Sequence, residues 1–354
     1  IGPATQDPEG GVIDRDENGA PTGVLRETAA GLIAPALARG GPIPPAQLLE
    51  GLRRLAGLGI TSVGAMMGYG ELPSEKLEAE VSSWAEVAPH LPINVHGFVI
   101  TDDPERLLWA KEQLTGVGSR IRWLGVKRFA DGSLGGHTAA MHDRFTDVDT
   151  VGTLRLNEAD RAIAEVCVDN GGMVAIHAIG DRAVDGVLDV FVDLVESGAD
   201  PAILRMEHVS VISPSQIDRF AATGATAVVQ PAFLASESEW LEGRVGADRL
   251  SWVYPFSSLI EAGVPIAGSS DSPVEPPHPL WGMAAAIDRF GIAPSEQLSN
   301  LEAIALFTDG AAAALGEPEP LAIGSPADLV VLDTNIATAT AGEIHDAIVI
   351  ETYV

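Results

Sequence analysis

Five polar side chains fall late in five successive apolar runs of this chain. They are Lys127 in "WLGVKRFA", His177 in "GMVAIHAIG", His208 in "RMEHVSVI", Gln230 in "ATAVVQPAF" and Asp271 in "VPIAGSSDS". If the runs are strands, alternation aims Gly125 with Lys127, Ala175 with His177, Met206 with His208 and Ser269 with Asp271 at one face. Two histidines and an aspartate at one end of a set of strands are ordinary ligands for zinc or a similar divalent ion. Singly, each has a plainer reading. A strand histidine can be a hydrogen-bonded core residue, and the Asp of "SSDSP" can form a turn. Recurrence at successive strand ends favours a metal centre.

Lys127 needs its own account. The chain carries 21 basic residues, of which only Lys76, Lys111 and Lys127 are lysines, and lysine is rarely buried unless paired. A protonated ammonium has no lone pair to offer a metal. Burial beside divalent cations lowers its pKa, and the neutral amine can capture carbon dioxide. The carbamate so formed is an anionic oxygen ligand able to bridge two metals. The competing reading is a lysine ion-paired with Asp131 or Glu207. His137, in the Gly-rich "GGHTAAMHD", and Gln230 are candidates for contact with substrate; Trp240 and Trp281 are weaker ones. His90, His96, His142, His278 and His345 read as surface or packing residues, and Asp181 and Arg182 as helix-start residues.

The elements that must hold these groups alternate. Strand-like runs span 59–67, 93–100, 123–130, 172–180, 205–212, 225–233 and 264–272, separated by helix-like stretches such as "ERLLWAKEQL" and "RAVDGVLDVFVDLVESG". Continuous apolar strands alternating with helices imply a parallel α/β sheet. No G-x-G-x-x-G or P-loop supports an open dinucleotide-binding sheet, so a (β/α) barrel is expected, with catalytic groups at its C-terminal strand ends. Seven units are present where a barrel needs eight. Ahead of them, "GGVIDRDENGAPTGVLRE" reads as a hairpin about Asn18-Gly19; behind them, "GSPADLVVLDTN" and "IHDAIVIETYV" read as a small β-unit. The expected division is 1–30 hairpin segment, 31–316 barrel and 317–354 partial β-sandwich.

Bulk properties exclude several classes. A net charge of −29 over 354 residues opposes binding to nucleic acid or anionic membranes, which need a basic footprint. No apolar run is long enough for a membrane span, and no leader pattern opens the chain. A lone cysteine, Cys167, rules out an intramolecular disulfide and fits a reducing, cytoplasmic compartment.

The segments "VKRFADGSLGGHTAA", "VAIHAIGDRAVDGVLDVF", "RMEHVSVISPSQIDRFAATGATAVVQPAFL", "GVPIAGSSDSPVEPPHPLWGM" and "GSPADLVVLD" resemble the amidohydrolase superfamily. Within it they are most like the amidohydrolase-3 group of metal-dependent hydrolases, which includes N-substituted formamide deformylases and YtcJ-like proteins. The resemblance implies a distorted TIM (β/α)8-type barrel with a β-sandwich built from both chain ends. It also implies one or two divalent metal ions, zinc foremost, and hydrolysis of an amide, formamide or cyclic amide C–N bond of a small molecule by metal-activated hydroxide. On this resemblance Lys127 is the carbamylated bridging ligand, His177 and His208 ligate one metal, and Asp271 is both ligand and general base. The alternatives are a non-catalytic barrel and the same centre acting on an ester, lactone or phosphoester.

One departure stands out. The group carries His-x-His on its first barrel strand, and no His-x-His occurs in this sequence. With seven strand units and Ile1 at the start, the expectation is a chain lacking an N-terminal portion that holds strand one and half of the sandwich. It would then bind one metal or none, with little activity, and its exposed seam would favour association with another copy.

Overall fold

Helix starts are written into the chain as caps. Asn157 and Asp160 form a reciprocal capping box at the head of Glu158–Asp169, as do Ser213 and Gln216 ahead of Pro214–Thr223; Asp103 caps Pro104–Leu114. Each occupies donors that a helix N-terminus leaves unpaired. The structure is a computed structural model describing residues 1–8, 11–33, 43–68 and 74–354.

A hairpin of β1 (Gly11–Arg15) and β2 (Pro21–Glu27) comes first. Asp16 shapes its turn by accepting the backbone N–H groups of Asn18 and Ala20 at 2.9 and 2.8 Å. The barrel boundary expected at residue 31 adjoins residues 34–42, which lie outside the described residues. Seven strands then follow: β3 (Ser62–Met67), β4 (Asn94–Ile100), β5 (Ile121–Phe129), β6 (Met173–Ala178), β7 (Leu204–His208), β8 (Thr226–Val229) and β9 (Ile266–Gly268). They form one parallel sheet in chain order. Neighbour after neighbour in sequence, with helices between, is the arrangement of a barrel wall. Among the described residues β3 and β9 are not paired with each other, so the wall has an open side. A ribbon of β10 (Leu329–Leu332) and β11 (Val349–Tyr353) closes the order.

Outward residues of the strands, including Val126, Val174, Ile176, Leu204, Met206 and Val229, pack on the helix layer with Val184, Val187, Leu188 and Phe191. The inner face is smaller and mixed. Phe98, Leu124, Ala175 and Leu315 form one inner cluster, and Val228, Ala267 and Ala314 another. Leu124 points inward because β5 carries a bulge: Gly97 pairs with Trp123 and Phe98 with Gly125, leaving Leu124 over. On the inner face Gly125 lies against Met173, where an added Cβ would sit 1.8 Å from the Met173 carbonyl oxygen.

Residues after the last barrel helix seal the floor. Arg205 donates to the Ala314 carbonyl at 3.0 Å and Arg122 to that of Leu315, satisfying carbonyls at the end of helix Asp309–Ala314. Arg122 Nε also donates to His96 Nδ1 at 2.7 Å, so the His96 Nε2–H faces Glu317 at 2.6 Å. Among the described residues no helix is long and apolar enough to cross a membrane.

Candidate active site at the C-terminal ends of the strands

Lys127, His177, His208, Gln230 and Asp271 line one cavity of about 2920 Å³. That exceeds an ordinary ligand pocket of roughly 300–1,000 Å³. The reason is its extent: it runs past the open side to floor residues Ser62 and Glu317.

Lys127 sits near the end of β5 and is 4% exposed. Its Nζ lies 4.8 Å from the centre of the Phe129 ring, and no carboxylate oxygen among the described residues comes within 4.0 Å of it. Burial pulls its pKa down to about 8, while Glu207 and Asp271 act in the opposite sense. The competing ion pair with Asp131 or Glu207 is therefore not formed. Glu207 instead grips Arg205, with 2.6 and 3.2 Å contacts inside the barrel.

His177 follows on β6. Its Nε2 is 2.8 Å from the Gly132 carbonyl and 3.2 Å from Asp131 Oδ1. The His177 and His208 rings meet edge to face, 4.3 Å between centres.

His208 arrives by a different route from the one alternation predicts. Met206 packs outward, whereas Arg205 and Glu207 line the cavity, so by parity His208 belongs outside. Left-handed backbone at His208 (φ 78°) and Val209 (φ 51°) swings it back into the mouth. There its Nδ1 is buried without a hydrogen-bond partner. Burial first, with the Lys127 ammonium acting in the same sense, holds its pKa well below the usual imidazole value.

Gln230, 1% exposed, donates to the Val228 carbonyl at 3.1 Å and to Ser269 Oγ at 2.8 Å, leaving Oε1 without a partner. Asp271 follows β9 in a left-handed conformation (φ 53°). It opens to the cavity, yet surrounding protein raises its carboxyl pKa, with Lys127 countering.

The structure sets His137 apart from these five. It is not on the cavity wall; its Nε2 lies 3.1 and 3.0 Å from the two Asp147 oxygens, and Arg244 holds the same carboxylate. Trp240 is covered by Arg244, and Trp281 is stacked between His278 and His345.

Among the described residues no three His, Cys, Asp or Glu side chains converge closely enough to hold a metal by themselves. The donor set nevertheless fits a divalent ion once lysine is counted. Two imidazoles touch, one of them presents a buried nitrogen with no partner, and a low-pKa lysine and a carboxylate share their cavity.

The amidohydrolase family model matches residues 1–354. This chain belongs to the amidohydrolase family. Against Putative amidohydrolase YtcJ of Bacillus subtilis it is 29% identical over 364 residues, covering 96% of this chain and 66% of that protein. Against the N-substituted formamide deformylase of Arthrobacter pascens it is 27% identical over 383 residues, covering 100% of this chain and 68% of that protein. An uncharacterized metal-dependent hydrolase from Pyrococcus horikoshii superposes with a TM-score of 0.76 at 29% identity, over 93% of this chain and 67% of that one. This amidohydrolase chain thus spans about two thirds of the length of these relatives.

Sequence reasoning passed over two further groups at the site. Asp131 reads in sequence as a candidate ion-pair partner of Lys127, yet it is a buried hub of backbone hydrogen bonds; its position directly after the lysine strand was the available signal. Glu237, on the cavity wall, accepts from Tyr254 Oη at 2.7 Å, and no local motif marks that pair. Burial pushes the Glu237 carboxyl up to about 7. A raised folded-state pKa means stability that is fully present below about 4.5 and is lost as pH rises through about 7. Glu237→Gln is expected to flatten the fall in thermal midpoint between about pH 4.5 and 7. An unchanged slope in a pH series of melting curves would contradict this.

Proposed function

We propose that this chain is a metal-dependent hydrolase that cleaves an amide, formamide or cyclic amide C–N bond of a small molecule. The observation that carries this reading is the convergence of Lys127, His177, His208 and Asp271 on one cavity at the C-terminal ends of parallel strands. His177 and His208 would hold zinc, with Lys127, free or as its carbamate, and Asp271 completing the set. Bound there, a divalent ion supplies Lewis-acid polarisation of a carbonyl and activation of water.

The protein's own groups do the rest. Asp271, raised in pKa and open to the cavity, accepts the proton of the attacking water and returns it to the leaving amine. Gln230 offers its free Oε1 to a substrate N–H. Membership of the amidohydrolase family and the deformylase among its relatives support a C–N target. We further propose a cytoplasmic setting, since the single cysteine, Cys167, is a free thiol, as a reducing compartment favours. Association of two copies along the unpaired edges of β3 and β9 is part of the same reading.

The test is a substrate panel of N-substituted formamides, cyclic amides, lactones and phosphoesters, assayed with zinc-loaded and chelated protein. Zinc-dependent turnover of the amides that is absent from Asp271→Asn supports the reading. Turnover confined to lactones or phosphoesters, or indifferent to zinc, contradicts it.

A further inference from the structure

A carbonyl oxygen can only accept a hydrogen bond. The 2.8 Å contact between His177 Nε2 and the Gly132 carbonyl therefore places the imidazole proton on Nε2. Asp131 Oδ1, 3.2 Å from the same nitrogen, is a second acceptor for that proton. With the proton on Nε2, Nδ1 is the His177 nitrogen left with a free lone pair.

Asp131 is itself fixed with unusual completeness. It is 1% exposed. Its Oδ1 accepts from Ile179 N at 3.0 Å, and its Oδ2 accepts from Gly180 N and Ala140 N at 2.8 Å each. These donors come from the segment after β6 and from the loop around residue 140, so one carboxylate ties both to the end of β5. Gly180 allows the approach, because a Cβ there would meet the Ala140 carbonyl oxygen at 2.1 Å. Three backbone N–H groups fix the carboxylate in place and leave it one direction in which to face the imidazole.

We infer that Asp131 is a positioning residue: beside the Gly132 carbonyl, which selects the Nε2–H tautomer, it holds the His177 ring in a fixed orientation, so that Nδ1 is the nitrogen offered to a divalent cation. Outer carboxylates of this kind typically govern metal affinity by about 10–100-fold. The inference rests on the metal-binding reading above only for what occupies Nδ1. The tautomer itself is a property of the metal-free chain.

The experiment uses 15N-histidine-labelled, chelated full chain, with His177 assigned by its loss in His177→Gln. Long-range 1H–15N spectra are expected to show Nε2 protonated and Nδ1 bare, with the Nε2 proton shifted downfield by the carboxylate. In Asp131→Asn the Gly132 carbonyl still accepts from Nε2, so the tautomer should persist; the Nε2 proton should move upfield as the carboxylate contact is lost, and zinc affinity, read by calorimetry, should fall about 10–100-fold. A protonated Nδ1 in the unaltered chain would overturn the inference. So would an Asn variant whose Nε2 proton does not move and which binds zinc within about twofold. If that variant does not fold, the Nε2 proton position in the unaltered chain decides: downfield supports the carboxylate contact, an ordinary position overturns it. A chain that shows the tautomer yet binds no zinc leaves the role of Asp131 standing and sinks the metal reading instead.

Discussion

Lys127→Met is expected to stabilise the metal-free chain by about 2–3 kcal/mol at pH 7 while abolishing its metal chemistry. The lysine pKa falls from 10.5 to about 8 because the ammonium is buried. A shift of that size corresponds to about 3 kcal/mol carried by the folded state while the group stays charged. The sign follows from linkage. A depressed folded-state pKa leaves the full cost in place below about 8, and stability recovers as pH climbs from about 8 toward 10.5. Methionine replaces the lysine stem as far as Cε and sets an apolar thioether where the ammonium faces the Phe129 ring. Glu207 keeps Arg205 as its partner, so the substitution strands no close ion pair. Urea denaturation of chelated protein at pH 7 and pH 10 reads both effects. The variant should be the more stable at pH 7, and the gap should narrow at pH 10. A variant less stable at pH 7, or a gap indifferent to pH, would contradict the account. Stability held below its ceiling by a functional group is a familiar trade.

His208→Ala is expected to weaken zinc binding at least about 100-fold, with kcat/KM falling in step. Structural zinc sites bind with roughly 10–16 kcal/mol spread over about four ligands. One ligand is then worth about 3 kcal/mol, and each 1.4 kcal/mol is tenfold. Its imidazole is already held neutral, with a nitrogen lacking any partner, so truncation removes a ligand without removing a charge. His345, whose side chain is 52% exposed, provides the control: His345→Ala should bind zinc like the unaltered chain. Calorimetric titration of the three proteins tests this, and equal affinities for the His208 variant and the unaltered chain would refute the assignment.

Much of the site was legible because parallel strands deliver their C-terminal ends to one mouth. Lys127, His177, Gln230 and Asp271 could be read from strand position alone, and all four line the same cavity. His208 reached the site against its own alternation, through two left-handed residues that side-chain pattern does not encode. His137 shared the chemistry of its neighbours but is committed to Asp147, ten residues on. Long-range partners were the least visible. His96 read as packing, yet it bonds Glu317 across 221 residues of chain. Asp131 reads in sequence as a candidate partner for Lys127 and proved to be a clamp for three segments. Local rules describe elements, whereas such contacts exist only once the sheet has curled and brought distant loops together.

The central claim is that His177, His208, Lys127 and Asp271 form one metal centre. Anomalous diffraction at the zinc edge from zinc-soaked crystals tests it most directly. The account predicts a zinc peak within ligand distance of His177 and His208, facing Lys127 and Asp271. A map with zinc only at surface carboxylates, and none between the two histidines, would contradict it.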